Sequence, residues 1–238
     1  MPGGRRALVV GACQTRRVTD SRDADATRLA AASLAKGDPT GWFERLYAAA
    51  SEGAAVVPWD ADEPNPLLVD WIERHERADG GMRAMVVGCG LGRDAEHLAG
   101  LGFETTAFDV SETAIQTARE RFPASKVNYR VADLLAPPAE WAGAFDLVVE
   151  SITVQSMPVS VREVATANVA RMVAPGGELL VIAAIREEGV EVDGPPWPLT
   201  RAEIDAFAVE DLRSVRVEQV ARPDKPGFAR WRAVFQRS

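Results

Sequence analysis

From Met82 onward the chain alternates short apolar runs with amphipathic ones. "AMVVG" (84–88) reads as a strand buried on both faces, and "DAEHLAGLG" as a helix stopped by glycine. "FETTAFD" follows as a second strand, and "SETAIQTARERF" as a helix with Ala114, Ile115, Ala118 and Phe122 at helical spacing. "VNYRVADL" predicts a third strand and "FDLVVES" a fourth. "VREVATANVARMV" predicts a helix turning Val161, Ala165, Val169 and Met172 inward, and "GELLVIAAI" a fifth strand. This alternation specifies a parallel sheet with helices on both faces and right-handed crossovers. Thr200-Arg201-Ala202-Glu203 is a capping box for a short helix. Two late strands, "LRSVRVEQVAR" and "FARWRAVFQR", are joined by a proline and glycine turn too short for a crossover, so they must be antiparallel.

Upstream of Met82 the periodicity is helical. "DADATRLAAASLAK" (23–36) reads as a helix within an N-terminal extension, residues 1–37, expected to be partly mobile. Asp38-Pro39 reads as an N-cap and first helical position opening "TGWFERLYAAA". Gly53 and "PWDADEPNP" end that helix. "PLLVDWIERHER" forms the next, with Leu67, Leu68, Trp71 and Ile72 on one side. The expected organisation is a helical lid over 38–81 and an α/β core over 82–238, together one domain.

Composition narrows the function. A chain of 238 residues, 47% hydrophobic, buries one sizeable core. A net charge of -8 argues against a general nucleic-acid or anionic-membrane binder, which needs clustered lysine and arginine. Two cysteines, Cys13 and Cys89, and two histidines, His75 and His97, make no persuasive metal site by spacing, so no metal is expected. That cysteine usage fits a reducing cytoplasm. The run Ala7–Val10 is too brief for a signal-peptide core, and no apolar stretch approaches the ~20 residues that span a bilayer. The expectation is a soluble, cytoplasmic protein acting on a small molecule, with a homodimer left open.

The candidate chemistry sits in "AMVVGCGLGRDAEHLAG". In an open parallel sheet, ligands bind beyond the carboxyl ends of the strands, near the point where strand order reverses. Gly88, Gly90 and Gly92 permit backbone angles closed to other residues and let a ligand approach the main chain. The dinucleotide fingerprint G-x-G-x-x-G requires its last glycine where Arg93 stands, so the third glycine comes one residue early. Asp109 ends the second strand, where an acid can accept hydrogen bonds from both hydroxyls of a ribose. Asp133 follows the third, where it can receive the exocyclic amine of adenine.

Taken together, these motifs with "FDLVVES" and "VAPGGELLV" resemble the class I S-adenosylmethionine-dependent methyltransferases. The resemblance covers residues 82 to 237. It implies a Rossmann-like, seven-stranded, mostly parallel sheet with a C-terminal antiparallel pair, and S-adenosylmethionine as cofactor. It places Gly88, Gly90 and Gly92 beside the amino-acid part of the cofactor, Asp109 and Val110 on the ribose side, and Ala132, Asp133 and Leu134 around adenine. Glu150, ending the fourth strand, falls where such enzymes face the methionine moiety or the acceptor, and is a candidate catalytic carboxylate.

The segment from Gly41 to Ile72 resembles the lid of the thiopurine, thiol and halide methyltransferase-like group, carried here by Trp42, Pro58, Trp59, Asp60, Pro64 and Pro66. The resemblance implies a cover for the cofactor and part of the acceptor pocket, with a thiol or other soft nucleophile as acceptor. Aromatic faces attract a sulfonium and shield it from water, which makes Trp42 and Trp59 cofactor candidates. A thiol must lose a proton, which makes Asp60 a candidate base. Trp59, Asp60, Thr153, Gln155 and Trp197 are the candidate acceptor contacts. Other readings remain: an O- or N-methyltransferase of specialised metabolism, a binding protein without catalysis, and an NAD-dependent oxidoreductase, which Arg93 and the antiparallel pair disfavour. The early echo "ALVVGACQTRR" has one glycine and no acid at the right distance, and reads as a strand or packed extension without cofactor chemistry.

Overall fold

The computed structural model describes residues 23–75, 81–225 and 227–238. The early echo and Cys13 lie outside these residues. Seven strands form one sheet in the order β3-β2-β1-β4-β5-β7-β6. They are β1 (Arg83–Val87), β2 (Glu104–Asp109), β3 (Asn128–Val131), β4 (Phe145–Ser151), β5 (Val173–Ala184), β6 (Leu212–Ala221) and β7 (Ala229–Arg237). β1 pairs in parallel with β2 on one side and β4 on the other. The chain therefore leaves this pair in opposite directions, and a crevice opens between their carboxyl ends. β7 runs antiparallel between β5 and β6, as the short late connection requires.

Strand alternation sets the two cores. Met85 and Val87 face one cluster with Phe108, Val148 and Leu179, while Ala84 and Val86 face another with Leu98, Ile115 and Leu147. Helices α4 (Arg93–Gly100), α5 (Glu112–Arg121), α6 (Val159–Arg171) and α7 (Arg201–Asp205) follow the strands as the alternation predicts. The capping box at Thr200 and Glu203 is present in both directions.

The upstream helices are α1 (Ala24–Leu34), α2 (Gly41–Ser51) and α3 (Pro66–His75), and they do not form one lid. The apolar side of α3, including a buried Trp71, covers the sheet itself. By contrast, Ala26 and Ala30 of α1 pack with Trp42 and Leu46 of α2, and these two helices rest on Leu91, Val110 and Ala114 above the crevice. α1 thus packs on α2, because its small alanines bring it close to the α2 aromatics.

Three boundaries shift for local reasons. The Asp38 carboxylate accepts the N–H groups of Thr40 and Gly41, at 3.3 and 2.7 Å, so α2 starts at Gly41 and Pro39 precedes it. β3 stops at Val131, since Asp133 turns the chain by accepting the Leu135 N–H at 2.8 Å. β5 begins earlier than expected, because Val173 pairs with Phe145 before a bulge at Pro175-Gly176-Gly177 resets the register to Leu147 and Glu178.

Candidate functional site

A cavity of about 850 Å³ lies over the carboxyl ends of β1, β2 and β4 and reaches β7. β1 delivers the chain into the glycine bend, where Gly88 and Gly90 have φ of 58° and 52°. A Cβ on Gly88 would lie 2.5 Å from the Thr153 Oγ1, and one on Gly90 2.8 Å from the Tyr47 Oη. Both positions therefore exclude a side chain by conformation and by space. Gly92, also at positive φ, opens α4.

Asp109 holds this bend from the end of β2. Its two carboxylate oxygens accept the Gly90 N–H at 2.9 Å and the Ser111 N–H at 3.0 Å, while the side chain still borders the cavity. Each oxygen keeps acceptor capacity for a ligand. Burial raises its pKa to about 6 against the opposing backbone hydrogen bonds. Val110, Ala132 and Leu134 border the cavity beside it. Asp133 does not reach the wall, its Oδ1 being engaged by the Leu135 N–H.

The turn after β4 is the strained part of the site. Ile152 borders the cavity with φ of 70°, which a β-branched residue adopts only when its surroundings enforce it. Glu150 supplies the enforcement: its Oε1 accepts the Thr153 and Val154 N–H groups, both at 2.8 Å. The carboxyl is fully buried and not on the cavity wall, and its Oε2 has no hydrogen-bond partner among the described residues. Desolvation raises its pKa to about 7, against those two hydrogen bonds and the charge of Arg162. The expected catalytic carboxylate is thus a positioning residue for the turn. What the turn presents are Thr153, whose Oγ1 donates to the Val87 carbonyl at 2.9 Å, and Gln155. Gln155 Oε1 accepts the Ala184 N–H, which leaves its amide nitrogen available as a donor.

The lid supplies the aromatic wall. Trp59 and Tyr47 both border the cavity, and the indole Nε1 donates to the Tyr47 Oη at 2.7 Å. Trp42 does not: it is fully buried, stacked on Phe43 with ring centroids 3.9 Å apart, and belongs to the lid core. Asp60 borders the cavity but is held by Arg121 through two hydrogen bonds of 2.8 Å. A carboxylate in a bidentate ion pair is a poor proton acceptor, so this geometry makes it a tie between lid and α5. Trp197 is off the wall, its ring against Gly194, and the adjacent Pro195 and Pro196 border the cavity instead.

Sequence reasoning missed Glu44, Asn65 and Asp94. Glu44 on α2 accepts the Ser111 Oγ and Thr113 Oγ1 hydroxyls at 2.6 and 2.5 Å and the Thr113 N–H at 3.2 Å, fastening the lid to the start of α5. Burial alone would raise its pKa, but these hydrogen bonds outweigh it and hold the carboxyl below its ordinary value. Asn65 donates to the Ser151 Oγ at 3.0 Å, and its N–H donates to Asp94 at 2.7 Å. Asp94 borders the cavity, and desolvation raises its pKa. Its place directly after "GLGR" was the available signal; Glu44 and Asn65 act across 69 and 86 residues of sequence and left none.

The group implied by the resemblance fits these residues: a backbone cradle, a buried acid with free acceptor capacity, an aromatic wall and a second acid in one crevice. Residues 84–177 match the family model described as a methyltransferase domain. The probable thiol methyltransferase 2 of Arabidopsis thaliana is 27% identical over 179 residues, 70% of this chain and 76% of that protein. The 2-heptyl-1-hydroxyquinolin-4(1H)-one methyltransferase of Mycobacteroides abscessus is 30% identical over 187 residues, 74% of this chain and 80% of that one. The solved N-methyltransferase NodS from Bradyrhizobium japonicum WM9, in complex with S-adenosyl-L-homocysteine, shares the fold with a TM-score of 0.60 at 23% identity, covering 82% of this chain and 98% of that chain. The strand order, the glycine bend with its acid and these relatives agree: the chain belongs to the class I S-adenosylmethionine-dependent methyltransferases, enzymes that use that cofactor as methyl donor.

Proposed function

We propose that this methyltransferase acts on a thiol or similarly soft nucleophile of a small molecule. The observation that carries this reading is the aromatic wall made by Trp59 and Tyr47 over the glycine bend. Similarity to a plant protein named as a thiol methyltransferase, extending well beyond the family-model segment, supports it.

S-adenosylmethionine, when bound, supplies a methyl group on a positively charged sulfur. Asp109 would accept the ribose hydroxyls, with Val110, Ala132 and Leu134 flanking the nucleoside. The glycine bend would receive the amino-acid end, where Asp94 offers an acceptor to an ammonium. Trp59 and Tyr47 exclude water and present aromatic faces to a cation. Thr153 and Gln155, fixed by the turn that Glu150 holds, would orient the acceptor, and orientation is the main rate advantage available to an in-line displacement. A thiolate is already strongly nucleophilic, so positioning and exclusion of water suffice for it. Two cysteines in the chain support a reducing compartment, the cytoplasm. No described helix is long and apolar enough to cross a membrane.

A second reading, transfer to the oxygen of a hydroxylated heteroaromatic acceptor, draws on the mycobacterial relative. A panel of thiols, hydroxyquinolones, phenols and amines, incubated with S-adenosylmethionine and read by product mass, separates the two. Methylation confined to thiols is expected; methylation confined to oxygen acceptors replaces the first reading with the second, and a panel without product removes both.

A further inference from the structure

Charged side chains line the cavity at both ends, with Arg93 among the acids and Asp224 among the cations. Asp94 and Asp109 border it around the glycine bend, whereas Arg222, Lys225 and Arg230 border it at the β6–β7 end. Arg222 is neutralised by two hydrogen bonds to Asp224. Lys225 is held 4.6 Å above the Phe228 ring. Arg230 is half-buried at the start of β7 with no ion pair among the described residues; its Nε is buried without a partner, and its sole hydrogen bond is a marginal one of 3.4 Å to its neighbour's carbonyl.

The next residue on the same face of β7 shows what this fold does with an arginine it uses structurally. Arg232 is met by Asp70 at 2.6 Å and by Glu218 at 2.9 Å. Arg230 has the same strand and face but no carboxylate at ion-pair distance, Asp224 acting on it only from farther off while bonded to Arg222, and it opens onto an 850 Å³ cavity. A half-buried guanidinium beside a second arginine is costly to keep charged without an anion. Across the ladder its partner is Ala184, whose N–H binds Gln155 Oε1. Gln155, proposed above to orient the acceptor, is thus one β5 residue removed from Arg230. β7 lies two strand spacings from β4, about 10 Å, so this end is remote from the glycine bend and on the acceptor side.

We infer that Arg230, with Lys225, binds a carboxylate carried by the methyl acceptor at the end opposite its nucleophile, so that the enzyme selects anionic small molecules. The inference rests on the proposed methyl transfer and adds the acceptor's charge and length. Guanidinium and carboxylate match in planar, two-bonded geometry, which favours a carboxylate over an alcohol or amide of equal size.

The test uses matched pairs of ω-mercaptoalkanoates and ω-mercaptoalkanamides, together with 4-hydroxycinnamate and its amide. Turnover with S-adenosylmethionine is measured, as is binding to protein saturated with S-adenosylhomocysteine. The acids are expected to show KM and Kd values lower by roughly tenfold or more than their amides, with the preference largest for chains that span about 10 Å. Arg230→Gln should abolish that preference and Arg230→Lys restore part of it, while Arg213→Gln, on the exposed side of β6, should leave it intact. Affinity for S-adenosylhomocysteine reports that each variant is folded. Acids that neither bind nor react better than their amides overturn the inference, as does a preference surviving in Arg230→Gln. Failure to bind S-adenosylhomocysteine would instead count against the cofactor site, and thus against the proposed function itself.

Discussion

Asp109 and Glu150 are both buried acids near the carboxyl ends of β2 and β4, the strands that flank β1, yet each is satisfied differently. Asp109 spreads its hydrogen bonds over both oxygens and borders the cavity. Glu150 concentrates them on one oxygen and leaves the other enclosed. Its pKa, raised by burial from 4.5 to about 7, means that the folded protein binds more protons than the unfolded chain between those values. Stability contributed by this group therefore falls as pH rises through that window and stays low above it. Glu150→Gln keeps the accepting oxygen and removes the buried charge. It is expected to retain methyl transfer and to gain up to roughly 3 kcal/mol over the native protein at pH 8, with no gain at pH 4. Denaturant melts at both values check this. A variant that folds but loses turnover would return Glu150 to a direct part in the chemistry.

At the level of elements, polar side chains add to the apolar seam that seats α1 and α2 on Leu91, Val110 and Ala114. Glu44 binds three groups at the start of α5, and Asp60 pairs with Arg121 at its end. α2 also carries Phe43 and Tyr47, which border the cavity, so loosening α2 should loosen the cofactor's cover. Glu44→Ala leaves buried donors unpaired and is expected to cost about 1–3 kcal/mol of stability. It should also weaken S-adenosylhomocysteine binding severalfold, with Glu44→Gln intermediate. Thermal melts paired with calorimetric titration separate the two effects. Unchanged affinity in Glu44→Ala would show that the lid's attachment is irrelevant to the cofactor.

For the whole molecule, the proposed ribose contact couples binding and folding through Asp109. In the free protein its carboxyl titrates near pH 6, and ribose hydroxyls donate only to an acceptor, so binding favours the ionised form. At pH 8, S-adenosylhomocysteine at a hundred times its Kd should stabilise the fold by about 2.7 kcal/mol. As pH falls through 6 the protonated carboxyl must first release its proton, and the affinity and the melting shift at fixed ligand should both shrink. A melting shift that is flat from pH 8 to pH 5 would exclude Asp109 as the ribose acceptor. The chain's net charge of -8 conceals a cavity that still places Arg222, Lys225 and Arg230 together at its β6–β7 end. Composition bears on solubility and bulk partners; the local field that selects a substrate depends on which side chains find counter-ions.

Much of this protein was legible one residue after another. Apolar periodicity marked all seven strands, the capping box marked α7, and the short late turn made β6 and β7 antiparallel, because each of these is decided by neighbours within a few residues. The glycine bend and Asp109 were likewise readable, since a backbone angle and a strand-end position are local properties. The roles of Trp42, Asp60, Glu150 and Trp197 were not. Each depended on what stands opposite: Phe43 stacked on one, Arg121 gripping another, two amides capped by the third, Gly194 beneath the last. Sequence alone determined the fold class and the cofactor. Tertiary structure alone decided which polar groups are already spent on the protein and which, like Arg230, remain for a ligand, because a hydrogen bond or ion pair belongs to two groups that only folding brings within reach.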